Sequence, residues 1–270
     1  MPTAWRPAIV GLAMLVIGPD ARRPTEAARP SRPSPGPTFA FNGRDLDGFS
    51  VFTRFHHADD PEAVFSVEDG MIHVSGAEFG GLSTREEFSD YRLVVEWKWG
   101  ARTWWPRKWR ARNSGVVVHA GGPEGAGFGS WLEGFECQIL EGGTGDLILI
   151  PGKGHSPTLV APTRISADGQ PYFDPTAAPQ PRKAGRLNWW GRDPGWLDIL
   201  WARGPSDLDH PPGQWNMTEL TCHGDTIEVR INGQLANAAS GLSSRSGKIQ
   251  LQSEGAEIFF RKFEVWPLEK

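Results

Sequence analysis

From Phe39 onward the chain is cut into short runs of alternating apolar and polar side chains, each bounded by Gly, Pro, Asn or Asp, and a helical period is hard to find. Alternation sends successive side chains to opposite faces of an extended strand, and the punctuating residues end each strand after a few positions. The clearest runs are 65–67 and 71–74 around the Asp69-Gly70 turn, then 91–97, 115–119, 134–140 and 147–150. Later come 217–222, 226–231 ending in the hairpin dipeptide Asn232-Gly233, 248–252 and 258–266. So many short strands close into two packed antiparallel sheets, an all-β sandwich. With Gly at 33 and Pro at 23 of 270 residues, a turn-rich β protein is favoured over a helical one. Residues 151–212 are rich in Pro, Gly and Trp and weakly periodic, and a loop so long is expected to serve a function, here as a rim over a sheet.

The first residues divide differently. The apolar stretch Pro7 to Gly18 has the length of an export signal and is too short to span a bilayer. The Pro- and Arg-rich run that follows cannot build a core and reads as a linker. The expected organisation is therefore a signal at 1–18, a linker at 19–37 and one sandwich domain at 38–270, secreted or periplasmic by bacterial export, with no membrane span in the mature protein. A formal charge of −4, from 28 Lys and Arg against 32 Asp and Glu, provides no positive field for nucleic acid. A neutral, weakly polar ligand fits better, and 13 Trp against 2 Tyr supply flat rings for a core or for stacking on sugars. Cys137 and Cys222 are the only cysteines, too few for a disulfide framework; Cys137 alternates onto the apolar face with Phe135 and Ile139 and is expected to be an inert buried thiol.

The same alternation sorts the polar side chains. Glu136 and Gln138 take the face opposite Phe135, Cys137 and Ile139, and Gln250, Gln252 and Glu254 take the face opposite Ile249 and Leu251. In the run from Asn113, His119 shares a face with Val117 and Asn113. If these strands are neighbours, His119, Glu136 and Glu254 are candidates to meet as a divalent-metal site for zinc, manganese or calcium, since imidazole with carboxylates suits such ions. Arg112, Asn113, Gln138 and Gln252 would then form a hydrogen-bonding surface for sugar hydroxyls. The segment Arg102 to Arg110 places Trp104, Trp105 and Trp109 among basic residues as an aromatic wall, and Glu141 or Asp146 could hold a structural Ca²⁺.

Beyond these local readings, an ordered set of motifs carries a family resemblance. Phe41-Asn42-Gly43-Arg44-Asp45-Leu46-Asp47-Gly48-Phe49 closely resembles the opening motif of the 3-keto-disaccharide hydrolase family. The landmarks that follow in order are Tyr91 to Trp99 with Glu96, Arg112-Asn113-Ser114-Gly115, Glu136-Cys137-Gln138 and Gly213-Gln214-Trp215-Asn216. Then come Val229-Arg230-Ile231-Asn232-Gly233, and Leu251-Gln252-Ser253-Glu254-Gly255 running into Phe259-Phe260-Arg261. The chain departs from the pattern at Glu254, where many members carry His.

The resemblance implies a concanavalin-like jelly-roll sandwich acting on an oligosaccharide or glycoside already oxidised at sugar C3. A C3 ketone acidifies the proton on C2, so a base can remove it and expel the C1 substituent, after which water adds back. Such chemistry asks for a base, an acid and an electrophile on the carbonyl oxygen, a role a bound metal can fill. Glu136, His119 and Glu254 are the catalytic and metal-ligand candidates, and Arg112, Asn113, Gln138, Gln252, Arg261 and Trp105 the substrate-binding ones. Two other readings stay open: a non-catalytic carbohydrate-binding module, and an ordinary glycoside hydrolase, whose paired carboxylates about 5 Å apart are not displayed on one strand here.

Overall fold

The computed structural model describes residues 36–153 and 156–268. The expected signal at 1–18 and nearly all of the expected linker at 19–37 lie outside the described residues. Among the described residues no helix is long and apolar enough to cross a membrane.

Among the described residues eighteen strands make three antiparallel sheets. The first sheet joins β1 (Phe39–Ala40), β3 (Phe65–Glu68), β4 (Met71–Val74), β6 (Tyr91–Thr103), β14 (Asn216–His223), β15 (Thr226–Ile231), β16 (Gln234–Ala239) and β18 (Ala256–Pro267). The second runs in the order β13 (Gly185–Leu187), β9 (Leu147–Ile150), β8 (Glu133–Leu140), β7 (Asn113–Gly121), β17 (Lys248–Ser253), β5 (Gly80–Thr84) and β2 (Phe49–Thr53). A small third sheet, β11 (Pro171–Phe173), β10 (Leu159–Ile165) and β12 (Pro179–Arg182), occupies part of the long segment expected to be a rim. The two-sheet sandwich expected from the alternation, in the jelly-roll form that the resemblance implied, is thus the fold.

The core lies between the two large sheets because each offers one apolar face. Leu93, Val95, Trp97 and Trp99 of β6 and Phe260 and Phe263 of β18 meet Val116, Phe135, Cys137, Ile139 and Leu251 from the second sheet. Burying this much aliphatic and aromatic surface, at about 25 cal/mol per Å² of apolar area, is the main drive for the two layers to close. Trp97 keeps its one polar atom satisfied by donating from Nε1 to Oγ1 of Thr218, 3.0 Å away. Both cysteines are buried and free.

The second sheet is unusual on its outer face. A sheet face turned from the core is ordinarily solvated, yet Asn113, Glu136, Gln138, Gln250 and Gln252 on that face are all buried. The cover comes from loops. Gln250 accepts from the backbone N–H of Leu132 at 3.0 Å and donates to Oγ of Ser83 at 2.8 Å, pinning the 122–132 loop down on the sheet. Leu132 then packs with Val117, Ala120 and Ile150 as a separate apolar cluster.

Candidate functional site

Register brings the polar residues together. On the outer face Glu136 of β8 stands opposite Val117 of β7 on one side and Ile148 of β9 on the other. Gln138 stands opposite Gly115, and Gln252 of β17 opposite Gly81. The two glycines matter because they leave gaps in the floor: a Cβ at Gly115 would lie 2.6 Å from Oε1 of Glu136 and closer still to Oε1 of Gln252. Glu136 and Gln252 therefore meet above a residue that has no side chain to part them.

Glu254 follows directly after β17, where its carboxyl accepts a hydrogen bond from the Asn113 amide and lies in the field of Arg107. Burial raises the Glu136 pKa to about 8, with repulsion from Glu254 adding to it and Arg186 and the Gln252 amide opposing. Burial likewise lifts Glu254 to about 7, opposed by Arg107 and the Asn113 amide. Both carboxyls are thus held toward their protonated forms.

The amides around the pair are ordered by neighbours. Gln138 Nε2 donates to Oδ1 of Asn113 and to the Ser114 carbonyl, the latter at 3.1 Å. The Gln252 side chain is buried with neither amide atom in a hydrogen bond of regular geometry, and its amide lies against Glu136, whose ionised form it favours. Arg186, absent from the residues singled out in the sequence, enters from β13, which pairs with β9 at Ile148. Its guanidinium donates to Asp146 at 2.6 Å and reaches Oε1 of Gln138 at 3.5 Å. Asp146 is fully buried, bonded also to Arg192 and to the Trp189 N–H at 2.8 Å, so it fixes Arg186 as a cation facing the carboxyl pair.

Several expected members stand elsewhere. Strict alternation puts His119 on the outer face, but a bulge between Val118 and Gly121 and a left-handed backbone at His119, with φ of +46°, turn its ring inward. The ring lies edge-on to Tyr91 and Phe135 at 5.9 and 6.3 Å, and Nδ1 donates to the Ser244 carbonyl at 2.9 Å. Gly247 permits this, since a Cβ there would run into the His119 backbone. Burial lowers the His119 pKa, which favours the neutral ring.

The set of His119, Glu136 and Glu254 consequently does not fit a shared divalent ion, because Phe135, which the imidazole meets, faces the core and Glu136 points the other way. Among the described residues no group of three or more His, Cys, Asp and Glu is placed to hold a metal ion. The expected Ca²⁺ ligands are also engaged, Asp146 by its arginines and Glu141 by Arg112.

Arg112 is itself a correction. Its side chain and that of Glu141 are fully buried, Nη1 lies 3.2 Å from both carboxylate oxygens, and the guanidinium sits 4.0 Å from the centre of the Trp201 ring. It is a structural ion pair off the site face. Arg261 belongs to β18 in the first sheet, bonded to Glu96 at 2.6 Å and stacked on Trp215, and takes no part in the site. Trp105 stands 82% exposed on the loop after β6, and the loop's contact with the site is made by Arg107, which packs over Gly255 and pairs with Asp198 at 2.7 Å.

A carboxyl pair on a polar sheet face, Glu136 buried and Glu254 half-buried, ringed by amides and two arginines, defines a carbohydrate-active jelly-roll sandwich. The chain belongs to the family of 3-keto-alpha-glucoside-1,2-lyase-like domains, whose model matches residues 36–266. No curated protein matches the chain. Among solved structures, a provisionally assigned glycosyl hydrolase from Parabacteroides distasonis is similar with a TM-score of 0.50 at 19% identity, over 85% of this chain and 98% of that one. A second from the same organism gives 0.48 at 18%, over 85% and 92%. The carbohydrate binding module CBM66 from Bacillus subtilis gives 0.47 at 7%, over 81% and 95%. At these identities the likeness is one of fold.

Proposed function

We propose that the protein cleaves 3-keto-glycosides by elimination across C1–C2 followed by hydration, with Glu254 as base and Glu136 as acid. The observation that supports this most is the pair of carboxyls at one sheet face, Glu136 buried and Glu254 half-buried, with ionisation suppressed to about 7 at Glu254 and about 8 at Glu136. Near neutral pH the lower member is the one available as a carboxylate and the higher one the one that still carries a proton.

Glu254 takes the C2 proton, made acidic by the C3 ketone. Charge that develops on the ketone oxygen is met by the Gln252 amide and by the Arg186 guanidinium, which needs no reorganisation because Asp146 already holds it. The C1–O bond breaks as Glu136 delivers its proton to the leaving oxygen, giving a free alcohol and a C1=C2 enone. In the second half water adds at C1, ionised Glu136 takes the water proton, and Glu254 returns the proton it holds to C2. Both carboxyls end as they began, and the net reaction is hydrolysis to a 3-keto sugar.

The test is to incubate the purified protein with a 3-keto-glucoside and with its unoxidised parent and to follow release of the leaving group. Release from the keto substrate alone is expected, falling by about 100-fold or more in Glu136→Gln, in the range that general acid–base groups supply. Turnover of the parent would make the protein an ordinary glycosidase. Saturable sugar binding without turnover of either would make it a binding module.

A further inference from the structure

The carboxyl site has a neighbour that the chemistry above leaves unused. A cleft of about 340 Å³ is lined by Phe128, Ile148, Leu149, Pro151, Ala184 and Arg186 among others. It is continuous with the site, because Ile148 is the cross-strand partner of Glu136 on one side and of Arg186 on the other. Arg186 thus borders both, reaching Gln138 in one direction and the cleft wall in the other.

Phe128 is held there against its preferences. Its ring is 61% exposed, and its backbone takes φ of +53°, a left-handed conformation that a bulky aromatic residue seldom adopts. The surroundings fix it: Arg54 donates from Nη2 to its carbonyl at 3.1 Å, and Trp131 meets its ring edge-on at 6.4 Å. An exposed aromatic ring anchored in a strained conformation beside a catalytic face is suited to stacking on a ligand.

Resting on the elimination reading, in which Glu136 protonates the leaving oxygen, we infer that this cleft receives the leaving group and that its preferred occupant is an aromatic aglycone rather than a second sugar. The cleft begins at Ile148, directly beside Glu136, which is where the C1 substituent must pass. Its walls are largely apolar side chains, so the several hydroxyls of a sugar would give up water without finding replacement partners. An aryl ring loses little on entry, can stack on Phe128, and can place its face or a phenolic oxygen against the Arg186 guanidinium.

The test uses the full chain and two substrates that share one 3-keto-glucosyl group, one carrying 4-nitrophenol and the other glucose as leaving group. The intrinsic lability of each leaving group is the same for wild type and variant, so the variant-to-wild-type ratio of kcat/KM for each substrate reports the cleft alone. Phe128→Ala is expected to lower the aryl value about tenfold, and about five times further than it lowers the disaccharide value. Phe128→Leu, which keeps apolar bulk in the loop, is expected to fall between. Equal losses on both substrates, or no loss on either, would overturn the inference. Should the wild type cleave neither substrate, the proposed chemistry falls, and the cleft is judged by titrating 4-nitrophenol itself. Saturable binding that weakens in Phe128→Ala supports the cleft, and absence of binding overturns it.

Discussion

Burial holds both Glu136 and Glu254 toward their neutral forms, and in the proposed elimination this sets how the two divide the work. The base must be ionised, so activity on a 3-keto-glycoside rises with pH through about 7, the value to which burial lifts Glu254. The acid must be protonated, so activity falls as pH passes about 8, where Glu136 loses its proton. The expected profile of kcat/KM is a narrow bell with its maximum between these values, and the two limbs belong to the pair rather than to either residue alone. Profiles measured on the wild type and on Glu254→Gln check this: the rising limb should be missing from whatever activity the variant retains. A flat profile from pH 5 to 7 in the wild type would remove Glu254 from the role of base.

At the scale of single strands, what could be read in advance follows from how regular each strand is. Glu136, Gln138, Gln252 and Asn113 lie where alternation put them because β8, β17 and the start of β7 are unbroken there. His119 lies beyond a bulge in β7, and one extra residue reverses every later side chain, a shift that apolar alternation does not announce. Arg112 carried a usable signal, since it shares parity with Ser114 and with Val116, a residue of the core between the sheets. Its consequence is measurable. Arg112→Met leaves Glu141 in the interior without its guanidinium partner and is expected to cost about 3–5 kcal/mol in urea unfolding, whereas Arg112→Met with Glu141→Gln should recover most of that loss. Activity per folded molecule should survive in the double variant, as Arg112 stands off the site face. Full stability in the single variant, or loss of activity in a well-folded double variant, would return Arg112 to the substrate.

Across the whole molecule, the parts that sequence pattern leaves illegible are those made by long-range pairing. Arg261 looks like a site residue by its place in a motif, but β18 belongs to the first sheet and the site to the second. Arg186 looks like part of a featureless segment until β13 docks on the edge of β9 and Asp146 captures it. That assembly has an energetic consequence for the entire fold. Both site carboxyls have folded-state pKa values raised above the 4.5 of an exposed glutamate, so between about pH 4.5 and 8 the folded state binds more protons than the unfolded one. Stability contributed by these groups is therefore greatest at low pH and declines as pH rises through that window. Glu136→Gln keeps the shape and removes the titration. Its Tm is expected to match the wild type near pH 4 and to exceed it at pH 8.5, each kcal/mol of relief raising Tm by roughly 2–4 °C for a domain of this size. An ion-paired carboxylate remote from the site, such as Glu257, is the same in both proteins and cancels in the difference. A variant less stable than the wild type at pH 8.5 would mean that the ionised Glu136 is held by a partner, and that the protein has no buried, reluctant acid at its centre.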